Sequence, residues 1–145
     1  MTTIAESLTA DQRRVVRDSF ECIRSTPGPV GFLFYGRLFE LAPEVRRMFH
    51  NDLDLQIRKL MDMLGSVVES LDNFDSVLPK LQDLGRQHAN YGVRPEQYGV
   101  LTSALLWTLS KALGADFDER TSEAWRDALA VISDAMKSRA YPPPS

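Results

Sequence analysis

Apolar residues recur at intervals of three and four along most of the chain, and no alternating run of β-branched residues is long enough for a strand. The pattern predicts an all-α protein. Thr9, with Gln12 three residues later, makes a capping box; Val15, Val16, Phe20 and Ile23 then share one helical face until Pro27, Gly28 and Pro29 stop it. A second helix carries Val30, Phe32, Leu33, Phe34, Leu38 and Phe39 and ends near Leu41. Pro43 opens a short helical segment, PEVRRMF, that finishes at Phe49. After the polar stretch HNDLD, a long helix from about Leu55 to Leu71 sets Ile57, Leu60, Met61, Leu64, Val68 and Leu71 in one stripe. The next helix covers roughly Val77 to Asn90 and halts before Gly92. Pro95 starts another apolar helix, and Asp118 is the expected N-cap of the last, which carries Trp125, Leu129, Ile132 and Met136. The closing YPPPS cannot be helical and reads as an exposed polyproline tail.

Composition narrows this picture only slightly. A chain of 145 residues with 43% hydrophobic positions can bury one core, so a single domain over 1–145 is expected, helical from about 8 to 139 with a Pro-rich tail at 140–145. A net charge of -3 offers no basic field to nucleic acid or anionic lipid, so neither is an expected partner. The longest uncharged stretch, Gln97 to Ser110, is too short to span a bilayer, and MTTIAESLTADQRR lacks the basic-then-apolar order of a signal peptide, so a cytoplasmic location is expected. Cys22 has no cysteine partner and is expected to pack as a small apolar group.

The remaining question is what the helices enclose, and His88 bears on it. A histidine inside a helix is in general a surface group or a hydrogen-bonded core group. Here its surroundings resemble a known arrangement. The passages GFLFYGRLFELAPEVRRMF, QIRKLMDMLGSVV and LQDLGRQHANYGV, the PEQY of Pro95 to Tyr98, and the pair Ala124 and Trp125 resemble, in order and spacing, the globin family. Within that family the likeness is to single-domain bacterial globins and the haem domain of flavohaemoglobins, with neuroglobin more distant. It runs from about Leu8 to Arg139. The fold it implies is the globin fold, six to eight helices around a haem pocket, and the cofactor it implies is haem b.

By this resemblance His88 is the proximal ligand of the haem iron, its tautomer fixed if Nδ1–H donates to the carbonyl of Leu84 one turn back. Leu84 and Val93 would press on the proximal face of the porphyrin. Phe49 matches the family's haem-contacting phenylalanine, with an apolar cap on its own short helix as the alternative role. Tyr35, Gln56 and Leu60 match three distal positions. Dioxygen on haem iron carries partial negative charge, so a phenol O–H and an amide N–H aimed at it stabilise it more than they stabilise carbon monoxide, and high dioxygen affinity is expected. The alternative role of Tyr35 is a core aromatic among Phe32, Phe34 and Phe39, and that of Gln56 a solvent-facing residue at a helix start. Lys59 would sit at the pocket mouth facing a haem propionate, or simply in solvent.

Three departures from the family shape the functional expectation. Where many relatives have a distal histidine this chain has Gln56, so a five-coordinate ferrous iron is expected; His50 reads as an exposed loop residue, and Tyr35 is a candidate ligand of ferric iron in alkali. Tyr98 matches a proximal tyrosine of flavohaemoglobins, but the glutamate that accompanies it has no counterpart in SRAYPPPS. The sequence stops where flavohaemoglobins continue into flavin and nicotinamide domains, so any repeated redox cycle is expected to draw electrons from a separate reductase. The leading expectation is therefore a protein that reversibly binds dioxygen, with nitric oxide and carbon monoxide as further ligands. The alternatives are a nitric oxide dioxygenase, forming nitrate with electrons from a separate reductase, and a gas or redox sensor. A monomer or homodimer is expected.

Overall fold

Thr9 opens the first helix in the predicted way: its hydroxyl accepts from the Gln12 amide and the Gln12 side chain reaches back to the Thr9 N–H, both at 3.0 Å. The computed structural model describes residues 8–48 and 52–141. Among these are six α-helices: α1 (Ala10–Arg24), α2 (Pro27–Leu41), α3 (Leu53–Glu69), α4 (Leu78–Asn90), α5 (Tyr98–Leu113) and α6 (Glu119–Lys137). Short 3-10 turns at Pro43–Met48, Phe74–Ser76, Pro95–Gln97 and Gly114–Asp116 connect or lead into them. The α3 helix starts two residues before Leu55, because Asp52 caps it by accepting from the Asp54 amide at 3.0 Å. Asp118 caps α6 as expected, accepting from the Thr121 amide at 2.8 Å.

Helix α1 lies against α3 and α6, α2 against α3 and α5, and α4 against α6. The consecutive helices α3 and α4 are not among the closely packed pairs. The core falls into two apolar clusters. One apolar cluster gathers Phe20, Phe34, Tyr35, Leu38, Ile57, Leu64 and Trp125, with Leu60 half-buried at its edge. The other gathers Val67, Phe74, Leu81, Tyr98 and Met136, with Leu84, Val93 and Tyr141 half-buried at its edge. Leu101 and Ile132 border both clusters.

Three expectations are corrected. Cys22 is exposed rather than packed. The buried face of α1 runs through Val16, Phe20 and Ile23, and Cys22, two positions from Phe20, is turned about 200° away from it. Phe32 is 68% exposed for the same reason, lying two positions from both Val30 and Phe34 on the buried face of α2. Finally, the tail does not begin free: Tyr141 is half-buried and donates its hydroxyl proton to the Val93 carbonyl at 2.5 Å. Phe49 and His50 lie outside the described residues.

Candidate functional site

Two close helix contacts position the residues singled out above. In the first, α2 crosses α3 at Gly31, where an added Cβ would come within 2.4 Å of the Ile57 side chain. Only glycine lets the two backbones approach so far. The crossing brings the Tyr35 hydroxyl to 3.4 Å from the backbone carbonyl of Gln56, to which it donates. Tyr35 is otherwise walled by Phe34 and Phe39, with ring centroids at 4.9 and 6.0 Å. Burial pushes its phenol up to about 12, so the hydroxyl keeps its proton well beyond the usual range and an alkaline phenolate is correspondingly hard to form. Gln56 and Leu60 are half-buried on the same helix, and Lys59 is exposed.

In the second contact, α4 meets α6 at Gly85, where an added Cβ would stand 1.8 Å from the Met136 carbonyl oxygen. One turn further on, His88 Nδ1 lies 2.8 Å from the Leu84 carbonyl. A carbonyl oxygen only accepts, so the proton of the neutral ring is on Nδ1 and the lone pair on Nε2. Burial pushes the imidazole below its ordinary value, against a smaller opposing effect of the Leu84 bond, and so favours the neutral ring.

The end of α4 is closed just after His88. The Val93 N–H donates to the His88 carbonyl at 2.9 Å and the Gly92 N–H to the Ala89 carbonyl at 3.1 Å, the paired bonds of a Schellman cap. Gly92 has φ +99°, which an L side chain rarely adopts. Replacing it with alanine is expected to cost about 1–2 kcal/mol and to loosen the turn that holds Val93; chemical denaturation of Gly92→Ala against the parent checks this.

The structure therefore brings the named residues together in two groups. Tyr35, Gln56 and Leu60 stand on α2 and α3; His88, Leu84, Val93 and Tyr98 stand on or beside α4, with the Tyr98 ring 6.4 Å from that of His88. Helices α3 and α4, which carry most of the two groups, are not among the closely packed pairs, although Val67 of α3 and Leu81 of α4 share one apolar cluster. Sequence reasoning passed over Tyr141, the residue that fastens the Val93 carbonyl; its one signal was an aromatic side chain four residues beyond the last turn of an amphipathic helix.

Comparison with known proteins decides the family. The Globin family model matches residues 33–136. The chain is a globin. Neuroglobin of Tetraodon nigroviridis is 26% identical to it over 90% of this chain and 91% of that protein. A flavohemoprotein of Rhizobium meliloti is 30% identical over 74% of this globin, which spans 28% of the relative. Among solved structures, an engineered carbene transferase made from a Rhodothermus marinus protein described as a nitric oxide dioxygenase superposes with a TM-score of 0.83. It is 25% identical, with 92% of this globin and 93% of that chain covered. Membership of the family implies haem binding and the globin fold, and no helix among the described residues is long and apolar enough to cross a membrane.

Proposed function

We propose that this globin binds haem b with His88 as the proximal iron ligand and reversibly holds dioxygen beneath Tyr35 and Gln56. The observation that carries the reading is the state of His88. Its imidazole is half-buried, held by Leu84 and pushed by burial toward the neutral form, in which the lone pair is on Nε2. Such a ring is the donor that haem iron takes. When bound, the haem supplies an iron with an open coordination position for a diatomic gas.

The chain's own residues supply the rest. Leu84 and Val93 present an apolar wall on the His88 side and Leu60 on the other. The Tyr35 hydroxyl donates a hydrogen bond. Its bond to the Gln56 carbonyl is long at 3.4 Å, hence weak, so a ligand with a better acceptor can take the proton in its place. The Gln56 side-chain amide is a second donor one helix away, and Lys59 and Phe49 are assigned to the mouth and edge of the haem. Nitric oxide and carbon monoxide fit the same pocket.

Tyr35→Phe removes the hydroxyl while keeping the ring. A hydrogen bond to a partly charged acceptor contributes about 1.5–3 kcal/mol, so dioxygen release from the variant is expected to be roughly 10- to 150-fold faster. Stopped-flow displacement of dioxygen by carbon monoxide checks this. The reading itself is tested by the ferrous absorption spectrum of the haem-loaded protein. A five-coordinate spectrum that turns six-coordinate on adding carbon monoxide is expected; a six-coordinate spectrum before any gas is added overturns it.

The likeness to a protein described as a nitric oxide dioxygenase favours a second reading, in which the same pocket brings nitric oxide to bound dioxygen and a separate reductase restores the iron. Sustained nitric oxide consumption in aerobic buffer with a reductase present, lost in Tyr35→Phe, would place it first. One equivalent consumed and no more would remove it.

A further inference from the structure

Behind His88 lies a buried hydroxyl that nothing described so far employs. Tyr98 is 3% exposed, its hydroxyl oxygen is shut off from solvent, and among the described residues no hydrogen-bond partner stands in bonding geometry to it. A buried hydroxyl without a partner is costly, on the order of 1–3 kcal/mol, so a chain that keeps one has a use for it or a partner close by. The neighbouring phenol is Tyr141, which packs on the same cluster as Tyr98, Leu84 and Val93. Tyr141 spends its own proton on the Val93 carbonyl. Its oxygen keeps two lone pairs and can accept, while Tyr98 has a proton to give.

We infer that Tyr98 and Tyr141 form a hydrogen-bonded relay, Tyr98 O–H to Tyr141 O–H to the Val93 carbonyl, that latches the segment following α6 onto the turn closing the His88 helix. A small shift of either ring completes it. Burial first, and the Tyr141 hydroxyl second, push the Tyr98 phenol well above its ordinary value, the direction expected of a proton donor in such a pair. Lys137 holds the other side of the latch, its Nζ 5.7 Å from the centre of the Tyr98 ring. The relay contains no carboxylate. It therefore fixes Val93, and through the Schellman cap the carbonyl of His88, without setting a negative charge behind the imidazole. Tyr98 and Tyr141 are thus positioning residues for the proximal wall.

A double-mutant cycle tests the relay. Tyr98→Phe, Tyr141→Phe and the double variant keep both rings, and each is unfolded by heat alongside the parent. If the hydroxyls act in series, losing either disables the same bond, and the double variant loses clearly less melting temperature than the two single losses added. Equal additivity overturns the relay, because two independently packed tyrosines would behave so. The measurement is made on the protein as purified and does not depend on His88 holding iron, so it stands or falls apart from the proposed function. On haem-loaded protein, transfer of haem to an excess of a scavenging apoprotein gives a second readout. Both single variants are expected to lose haem faster, Tyr141→Phe several-fold and by more than Tyr98→Phe, because only the former also breaks the bond to the Val93 carbonyl. An unchanged rate in Tyr141→Phe would overturn the positioning role.

Discussion

His88→Ala is expected to abolish proximal ligation of the haem iron, with haem lost to a scavenging apoprotein more than about 100-fold faster than from the parent. The magnitude follows from a comparison: removing a group that merely orients a metal ligand costs about 10- to 100-fold in affinity, and here the ligand itself goes. The apolar contacts of Leu60, Leu84 and Val93 would remain, so some porphyrin should still enter the variant, but without the iron-to-imidazole signature in its ferrous spectrum. Added free imidazole should restore that signature, because alanine leaves room for the ring. If the spectrum of His88→Ala is the same as the parent's, the assignment of the proximal ligand is wrong.

The same residue sets a pH limit. The imidazole's folded-state value lies below its ordinary 6.5, so the unfolded chain takes up this proton first as the solution is acidified. The stability associated with a neutral His88 is therefore full above about pH 6.5 and falls as the pH drops below it, and haem retention should fall with it. Haem loss and unfolding midpoints followed from pH 7.5 to 5 check this. His88→Gln, which carries no titrating ring, should flatten the part of the unfolding curve between pH 6.5 and 5.

Gly85→Ala should be the most damaging change of a single methyl group among the glycines of the described helices. The added Cβ would meet the Met136 carbonyl oxygen at 1.8 Å, and that oxygen belongs to backbone, which cannot rotate aside as a side chain could. Helix α4 must then move off α6, taking His88 and the Leu84 carbonyl with it. Overpacking of this sort costs about 3 kcal/mol or more, which for a chain of this size lowers the melting temperature by roughly 10 °C. Gly99→Ala is the control, since nothing described lies within 4 Å of the Cβ it would add. Alanine in a helix is favoured over glycine by up to about 1 kcal/mol, so that variant should melt at or above the parent temperature. A Gly85→Ala protein as stable as the parent would mean that the α4 to α6 contact is looser than drawn.

The helices and their caps were legible in the sequence because their causes are local. Thr9 with Gln12, and Asp118, act within three residues of themselves, and the stripe from Ile57 to Val68 needs only the helical repeat. The His88 to Leu84 bond was legible for the same reason, being one helical turn long. What could not be read depends on neighbours distant in sequence. Cys22 and Phe32 are apolar residues whose exposure is settled by which face the other helices cover. Gly85 and Gly31 look like weak points of their helices until Met136 and Ile57 are seen against them. Tyr141 looked like the first residue of a free tail, and only the Val93 carbonyl, 48 positions back, shows that it is tied down. The family likeness supplied the roles proposed for Tyr35 and Gln56; helical spacing alone would have left both as ordinary members of their helices.

The division of the core into two clusters reaches beyond ligand binding. Both clusters are bordered by Leu101 and Ile132. On the proposed function the porphyrin joins them, as a structural member of the molecule as much as its working part. Binding energy and folding energy then become one quantity, and each tenfold rise in free haem above its dissociation constant adds about 1.4 kcal/mol to the stability of the folded chain. The amount of intact protein in a cell would thus follow that cell's supply of iron and porphyrin, with no regulator needed to match the two.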